Sequence, residues 1–287
     1  MNNQNIELNR FVFNDVKDFD LVHLFECGQC FRWVPFADED AAGDTQTYTG
    51  VTGDKAAKIS YTRIAGSATG TLVIEATGGS EEFWMDYLDL DNDYGEIKRT
   101  LIENEPLIKP ATEYGQGIRI LNQDLFETII SFIISQNNNI PRIRKNIESL
   151  CRRYGEKIEG CDIYAFPTPE RLAEAEICDL AELKLGYRCE YIKASAAKFL
   201  AEGRPHTREE LLSFHGIGPK VANCIMLFGL RDTAAFPVDT WVKHIMNDMY
   251  GFDSKDIKGM QTFATEHFGN LAGYAQQYLF YYYRDRS

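Results

Sequence analysis

The sequence has little that would indicate a membrane protein, an exported protein or a metalloenzyme. No apolar run in its 287 residues is long enough to span a bilayer, and the first ten residues lack the charged-then-apolar pattern of a signal peptide. We therefore expect a protein that stays inside the cell. The five histidines include no pair at helical spacing, and a lone C-x-x-C at residues 27–30 is weak support for zinc. The seven cysteines, an odd number in a long chain, fit reduced thiols better than a disulfide framework.

Basic residues are also in short supply, since the net charge is −13. A basic surface is the usual mark of a protein that binds nucleic acid, so this balance argues against such a partner. Much of the acid lies early, in residues 37–40 and 81–93, whereas the basic residues cluster later. The later clusters comprise Arg142, Arg144, Lys145, Arg152, Arg153, Lys184, Arg188, Lys193 and Lys198. A local basic face can therefore coexist with the acidic total.

The hydrophobic pattern changes from a strand period to a helix period along the chain. Residues 47–51, 56–64 and 71–76 are rich in β-branched and aromatic side chains, and the glycine-containing turns between them predict antiparallel hairpins. Residues 125–134 are apolar almost all round, which predicts a buried central helix. Further helices are predicted over residues 142–154, 169–175, 190–201, 208–214, 219–230, 240–250, 255–267 and 273–283. Strands first and helices after them indicate an α+β fold.

The stretch from residue 213 to residue 224 predicts two helices joined by a glycine hairpin. Gly216-Ile217-Gly218 forms the turn, and Pro219 opens the second helix at a position where its missing N–H costs nothing. The unpaired N–H groups at this helix start favour an anion, and phosphate is the obvious candidate. Lys220 lies in the same first turn, where the helix dipole disfavours a cation. We therefore expect a neutral Lys220 amine, which would be a nucleophile.

Further motifs, together with this hairpin, give the chain a specific resemblance to a known family. The motifs are CGQCFRW at residues 27–33, SQNNNIPR at 135–142, LGYR at 185–188, and YAQ at 274–276 followed by Phe280. Over nearly its whole length the chain resembles the 8-oxoguanine DNA glycosylases of the helix-hairpin-helix superfamily, bifunctional enzymes that excise oxidised guanine and nick the abasic site. The resemblance implies a twisted antiparallel β-sheet domain with following helices at residues 1–118. This domain would pack on an all-α helix-hairpin-helix glycosylase core at residues 119–287.

The same resemblance implies roles for Lys220 and Asp239. The Lys220 amine would attack the anomeric carbon of the sugar, form a Schiff base and allow elimination to break the DNA backbone. Asp239 would stabilise the positive charge that builds on the sugar, and it can also cap the helix that follows it. The alternatives are that Lys220 is an ordinary surface lysine and that Asp239 is only a helix cap. Trp241 departs from the family's pattern, because mammalian members carry histidine at this position.

The resemblance also implies which residues would hold the damaged base. Cys224 would lie against one face of the base and Phe280 against the other, while Gln276 would bind its Watson–Crick edge. The main-chain carbonyl of Gly28 would accept a hydrogen bond from N7–H, which 8-oxoguanine has and guanine lacks. The alternative for Cys224, Phe280 and Gln276 is packing in a helix core. The alternative for Gly28 is a simple turn.

A second group of residues would contact the rest of the DNA. The resemblance sends Asn137 into the gap left by the extruded nucleotide, with Tyr187 wedged beside the unpaired base. Arg142 and Arg188 would read the edge of that base, and generic phosphate binding is the alternative for both arginines. The remaining implied DNA contacts are His215, Gly216 and Gly218 of the hairpin.

We therefore predict a DNA glycosylase with lyase activity at abasic sites, which acts on 8-oxoguanine in duplex DNA and prefers cytosine opposite the lesion. It would extrude the damaged base, use no metal or redox cofactor, and work as a monomer away from membranes. Its location would be the cytoplasm or nucleoid of a bacterium, or the nucleus of a eukaryote. No cysteine follows Asp239, so the iron–sulfur loop of the endonuclease III branch is missing.

Two alternatives stay open at this point. A glycosylase for another damaged base, such as an alkylated one, would keep Asp239 but would not need Lys220. A non-catalytic helix-hairpin-helix module that only binds DNA would need the hairpin and neither of these two residues.

Overall fold

The N-terminal part of the chain forms one antiparallel sheet. The computed structural model describes residues 8–36, 44–284 and 286, so the acidic stretch at residues 37–40 lies outside the described residues. The strands are β1 (Asn9–Lys17), β2 (Trp33–Pro35), β3 (Thr45–Thr52), β4 (Lys55–Arg63) and β5 (Thr69–Ala76). They pair in the order β1-β5-β4-β3-β2. Short loops at residues 53–54 and 64–68 join β3 to β4 and β4 to β5, which confirms the predicted hairpins.

The predicted strand region omits β1, which lies at the edge of the sheet. Its pairing with β5 is irregular between Phe13 and Val16, and Asp15 between them has a φ of 58°. Only Phe11, Phe13 and Val16 of this strand are half-buried, and its other residues are exposed. The interrupted alternation hides the strand from a search for a period of two.

Helices dominate the rest of the described chain. The first four helices along the chain are α1 (Leu21–Phe25), α2 (Glu81–Tyr87), α3 (Tyr94–Asn104) and α4 (Lys109–Tyr114). Those that follow are α5 (Leu125–Ser135), α6 (Ile140–Tyr154), α7 (Pro169–Ala173), α8 (Ile177–Glu182), α9 (Arg188–Glu202), α10 (Arg208–Leu212), α11 (Pro219–Gly229), α12 (Thr240–Tyr250), α13 (Ile257–Phe268) and α14 (Ala272–Arg284). The predicted helices are all present, with ends shifted by a few residues. The prediction gives no individual bounds for α1 to α4, and it omits α8, because six residues offer too little periodicity.

Helix α5 lies at the centre of the helical part, as its all-round apolar sequence predicts. Nine of its 11 residues are buried, and it packs against α6, α9 and α11. Helix α6 begins where the side chain of Asn139 accepts a hydrogen bond from the main-chain N–H of Arg142 at 3.0 Å. The loop at residues 136–139 is therefore held at both ends by a helix.

A short segment at residues 26–33 connects the sheet to the helices. Gln29 is 1% exposed, and its Nε2 donates to the main-chain carbonyl of Arg119 at 2.8 Å. Its Oε1 accepts from the main-chain N–H of Leu121 at 2.9 Å. On the other side, Nε2 of Gln277 in α14 donates to the carbonyl of Cys27 at 2.7 Å. These buried bonds fix the segment against both parts of the fold.

The described residues contain no helix that is both long and apolar enough to cross a membrane. Within the same part of the chain, no three His, Cys, Asp or Glu side chains are grouped so that they could hold a metal ion. All seven cysteines are free thiols, and Cys178 is the exposed one among them. The division of the chain at residue 119 stays a prediction.

Candidate active site and DNA-facing cleft

An open cleft forms where the starts of α11 and α12 meet the loop between α5 and α6 and the residue before α9. Its volume is about 900 Å³. The predicted site residues that line it are Asn137, Arg142, Tyr187, Gly218, Lys220 and Asp239. Gln136, Trp241 and Lys243 line it as well, and the sequence analysis gave none of these three a role. A groove with basic, polar and aromatic walls suits a nucleic acid strand.

The hairpin places Lys220 at the edge of this cleft. Gly218 is the N-cap of α11, and Pro219 is the first residue of that helix, as predicted. The Lys220 side chain is half-buried, and Cys224 lies one turn further along the same helix. Its Nζ lies 5.7 Å from the centre of the Phe132 ring, which closes the apolar side of the amine.

The pKa of Lys220 is raised, which contradicts the expectation of a neutral amine. The largest cause is the negative charge of ionised Cys224; burial lowers the pKa, and Asp239 raises it. The neighbouring acidic groups therefore outweigh burial and the helix dipole. Burial in turn raises the pKa of the Cys224 thiol, although Lys220 lowers it. The raised pKa keeps Lys220 an ammonium at neutral pH, so the amine has to lose a proton before it can attack carbon.

Asp239 is the N-cap of α12 and faces the same cleft. Its Oδ1 accepts a hydrogen bond from the main-chain N–H of Val242 at 2.8 Å, and its φ of −97° and ψ of −170° are those of an ordinary cap. The side chain is half-buried. The plain cap that the sequence left as an alternative is thus present. It fixes the orientation of a carboxylate that lines one cleft with Lys220.

Gly28 and Phe280 are neighbours, although they are far apart in the sequence. Gly28 has a φ of +83°, and a Cβ built on it would lie 3.3 Å from Cε1 of Phe280. Gln276, one turn before Phe280 on α14, is 5% exposed, and its Oε1 has no hydrogen-bond partner among the described residues. An unpaired buried acceptor is a group that a donor on a bound base would satisfy.

The four predicted base contacts do not line the open cleft. Among the described residues that line the cleft, none is Gly28, Cys224, Gln276 or Phe280. Cys224 is buried and follows Lys220 by one turn of α11. The roles of these four residues in binding a base stay predictions.

Arg188 is not where the predicted contact with the unpaired base would put it. The residue is 5% exposed, and its Nε donates to the main-chain carbonyl of Gln136 at 3.1 Å. Its Nη2 donates to the carbonyls of Gln136 and Asn137, and its Nη1 donates to that of Leu185 at 3.2 Å. A guanidinium occupied by main-chain carbonyls does not present its donors to a base. In this structure Arg188 fixes the loop that carries Asn137, which corrects the prediction.

Asn137, Arg142 and Tyr187 keep exposed positions around the cleft. Asn137 has a φ of +52°, which asparagine adopts more readily than most residues. Tyr187 is 51% exposed. Arg142 is exposed, and its Nη2 lies 3.5 Å from the main-chain carbonyl of Lys184. Their predicted contacts with DNA are compatible with these positions and stay predictions.

The hairpin is held by an aromatic ring that the sequence analysis missed. Gly216 has a φ of +84°, and a Cβ built on it would lie 2.3 Å from Cδ2 of Tyr191. The rings of the exposed His215 and of Tyr187 lie 4.7 Å and 5.5 Å from the Tyr191 ring. Nε2 of Gln136 donates to the carbonyl of Gly216 at 3.0 Å. The hairpin, the loop at residues 136–139 and the residue before α9 are therefore fixed into one surface. The sequence signal for this contact is a second tyrosine, Tyr191, one helical turn after Tyr187.

Two family models together cover most of the chain. Residues 11–129 match the 8-oxoguanine DNA glycosylase N-terminal domain, and residues 130–267 match the HhH-GPD superfamily base excision DNA repair protein. The chain is 35% identical over 213 residues to a probable N-glycosylase/DNA lyase of Methanothermobacter thermautotrophicus, which covers 63% of this chain and 68% of the relative. It is 30% identical over 283 residues to N-glycosylase/DNA lyase OGG1 of Arabidopsis thaliana, which covers 89% of this chain and 75% of that one. The chain belongs to the 8-oxoguanine DNA glycosylase family.

A solved structure of a relative has the same architecture as this glycosylase. The Clostridium acetobutylicum 8-oxoguanine glycosylase/lyase, in complex with double-stranded DNA containing cytosine opposite 8-oxoguanine, is 38% identical. The two structures match with a TM-score of 0.84 over 98% of this chain and 99% of that one. The predicted α+β fold and the predicted enzyme class, a DNA N-glycosylase with lyase activity at abasic sites, are confirmed.

Proposed function

We propose that this glycosylase removes 8-oxoguanine from duplex DNA, with a preference for cytosine opposite, and then cleaves the strand at the abasic site. The observation that carries the proposal is the placement of Lys220 and Asp239. They lie at the starts of consecutive helices and line one cleft together with Asn137, Arg142 and Tyr187. An amine and a carboxylate that share a cleft with groups suited to an opened duplex match a base-extruding mechanism.

The covalent steps begin with a proton transfer. Lys220 gives up a proton and its Nζ forms a bond to C1′ of the sugar, while the bond from C1′ to the base breaks and the base leaves with the electron pair and gains a proton. Asp239 stabilises the positive charge that develops on the sugar during this exchange. The bond between C1′ and the ring oxygen of the sugar then breaks, which opens the ring and gives the Schiff base. Removal of a C2′ proton expels the 3′ phosphate, and water hydrolyses the adduct to free Lys220.

Selection of the lesion would rest on the group formed by Gly28, Gln276, Phe280 and Cys224. The carbonyl of Gly28 would accept from N7–H of 8-oxoguanine and would meet a lone pair in guanine. The buried Oε1 of Gln276 lacks a partner among the described residues and would accept from a donor on the Watson–Crick edge. A polar group that one base satisfies and another leaves unpaired discriminates strongly between them.

Preference for cytosine opposite would rest on Arg142, Tyr187 and Asn137. Once the damaged base has left the stack, O2 and N3 of cytosine are unpaired acceptors, and the exposed guanidinium of Arg142 offers donors and no acceptor. Tyr187 and Asn137 would occupy the space beside that base. Arg188 would act indirectly, because it holds the main chain of the Asn137 loop.

The proposal includes a monomer that works inside the cell and associates with DNA rather than with a membrane. Lys220, Asp239, Asn137, Arg142 and Tyr187 all come from one chain and line one cleft. Light scattering of the free protein and of a complex with one duplex tests the monomer, and a mass of twice the chain would contradict it.

One incubation separates the proposal from its alternatives. A labelled duplex with 8-oxoguanine opposite cytosine is treated with the protein, and the strands are analysed with and without alkali. We expect cleavage without alkali, and none of an identical duplex with guanine. Cleavage that appears only after alkali would contradict the lyase step. Binding without any cleavage would indicate a module that only binds DNA, and cleavage of alkylated but not oxidised duplex would indicate a glycosylase for another lesion.

A further inference from the structure

Trp241 is the exposed member of the chain's three tryptophans. Trp33 and Trp84 are 1% and 0% exposed, whereas Trp241 is 37% exposed. It is the second residue of α12, two positions after Asp239, and it lines the cleft together with Lys220 and Lys243. A large apolar ring is therefore open to solvent beside the two catalytic candidates.

The packing of α12 does not require an indole at this position. The buried residues of the helix are Val242, Ile245 and Met246, which form the face toward the core. Trp241 precedes this face and adds little to it, because more than a third of its surface stays exposed. Indole has one N–H donor and no charge, so a ligand that covers it gains mainly from contact with the ring face.

We propose that Trp241 is a positioning residue that packs its indole on the lesion-bearing strand next to the nucleotide that Lys220 and Asp239 act on. The inference rests on the proposed function, because that function places the damaged strand at this wall of the cleft. Nucleotides stack on aromatic faces without a need for a specific sequence. Lys243, which lines the same cleft, would supply the positive charge for a phosphate. Trp241 would thus contact a base or sugar face, and Lys243 would contact the backbone charge.

Intrinsic fluorescence provides a direct readout of this contact. The protein is titrated with a duplex that carries a tetrahydrofuran abasic analogue opposite cytosine, which binds without being cleaved. Because Trp33 and Trp84 are buried, they give a constant background, and the signal change reports Trp241. We expect quenching in the wild type and its loss in Trp241→Phe, which keeps an aromatic ring and binding. An unchanged wild-type spectrum at saturating duplex would overturn the inference.

Affinity measured against salt separates stacking from charge. Trp241→Ala should weaken binding of the same duplex by about 10-fold, which is within the range for one lost base–aromatic stack, and should leave the slope of log affinity against log salt unchanged. Lys243→Ala should reduce that slope by about one phosphate contact. Because Trp241 is exposed, the melting temperature of Trp241→Ala should stay close to that of the wild type. Equal affinity of Trp241→Ala and wild type, or a changed slope in Trp241→Ala, would refute the assignment.

The wild-type cleavage assay keeps this inference distinguishable from the proposed function. If the wild type cleaves the 8-oxoguanine duplex and Trp241→Ala cleaves it at the same single-turnover rate with the same affinity, the inference about Trp241 alone fails. If the wild type binds duplex but cleaves no damaged strand, the proposed function fails first.

Discussion

Arg188 donates from Nε to the main-chain carbonyl of Gln136 at 3.1 Å, and this bond lies beneath the loop that lines the cleft. A further bond from Nη2 reaches the carbonyl of Asn137 at 3.2 Å. The loop is therefore held from below by a buried cation, while the Asn137 side chain points outward from a left-handed backbone. Arg188 thus holds the loop, whereas Arg142 is exposed on the same cleft and keeps its predicted role in reading the base.

Replacement of Arg188 should affect mainly stability, and replacement of Arg142 should affect mainly specificity. Arg188→Ala leaves main-chain carbonyls without their donors, so we expect the free energy of unfolding to fall by about 1–3 kcal/mol. Arg142→Ala removes an exposed side chain and should change stability by less than about 0.5 kcal/mol. The same variant should flatten the preference for cytosine in single-turnover excision against the four opposite bases. Full stability of Arg188→Ala in urea unfolding would contradict the loop-holding role.

Asp239 allows the cap and the catalytic role to be separated by two substitutions. Asparagine caps a helix as well as aspartate does, so Asp239→Asn should melt near the wild-type temperature, whereas Asp239→Ala should lose about 1 kcal/mol. Both variants lack the carboxylate, and both should excise 8-oxoguanine about 100-fold more slowly or worse. Duplex affinity of Asp239→Asn should stay near that of the wild type. Normal excision by Asp239→Asn would show that the carboxylate serves only as a cap.

The parts of the site that the sequence predicted are those that depend on near neighbours in the chain. The Gly-Ile-Gly-Pro turn, the start of α11 at Pro219 and the cap at Asp239 follow from local backbone rules, and the structure has all three. The buried central helix was predictable because its apolar character is visible in one short segment.

The parts that could not be predicted depend on contacts between distant residues. Two of the three carbonyls that Arg188 binds lie 51 and 52 positions away, so these contacts have no local signal. The pKa of Lys220 is set by Cys224, burial and Asp239 together, and the dipole argument considered only its own helix turn. Strand β1 depends on its partner β5 for a pattern that its own sequence interrupts.

Gly28→Ala tests whether close contact with Phe280 matters for base binding. A φ of +83° is unfavourable for alanine by about 1–2 kcal/mol, and the new Cβ would press on the Phe280 ring. Gly203 has the same φ of +83° and nothing within 4 Å of a built Cβ, so Gly203→Ala is a control for the loss of a positive-φ glycine away from Phe280. We expect both variants to lose stability, and only Gly28→Ala to lose single-turnover excision. Equal excision by the two variants would refute a role for the Gly28–Phe280 contact.

Glu127 should make the stability of the junction between sheet and helices depend on pH. Burial raises its pKa to about 7, against the lowering effect of Arg32, whose Nη1 lies 3.7 Å from Oε2. The main-chain N–H of Gly53 donates to the same Oε2 at 3.3 Å. An unfolded glutamate has a pKa of about 4.3, so the folded protein binds more protons between that value and about 7. Its stability should therefore fall as pH rises through this window, by on the order of 3 kcal/mol from this group.

Glu127→Gln should remove that pH dependence, since the amide stays neutral and its oxygen can still accept from Gly53. The measurement is urea unfolding at pH 5, 6, 7 and 8. Glu148→Gln, on the exposed face of α6, is the control and should keep the wild-type slope. A slope that is the same in Glu127→Gln and wild type would place the titration elsewhere.

Lys220→Gln should abolish borohydride trapping of the protein on 8-oxoguanine DNA, because a glutamine amide cannot form a Schiff base. The raised pKa of Lys220 adds a second expectation for the wild type, since the ammonium beside Cys224 must lose its proton before attack. Below that pKa the neutral fraction grows about tenfold per pH unit, so the single-turnover rate of trapping should rise between pH 6 and pH 8 while this step limits it. Lys243→Gln, which removes a lysine from the same cleft, is the control and should still be trapped. Trapping of Lys220→Gln at the wild-type level would place the nucleophile on another residue, and a wild-type rate that falls as pH rises would contradict the protonated resting state.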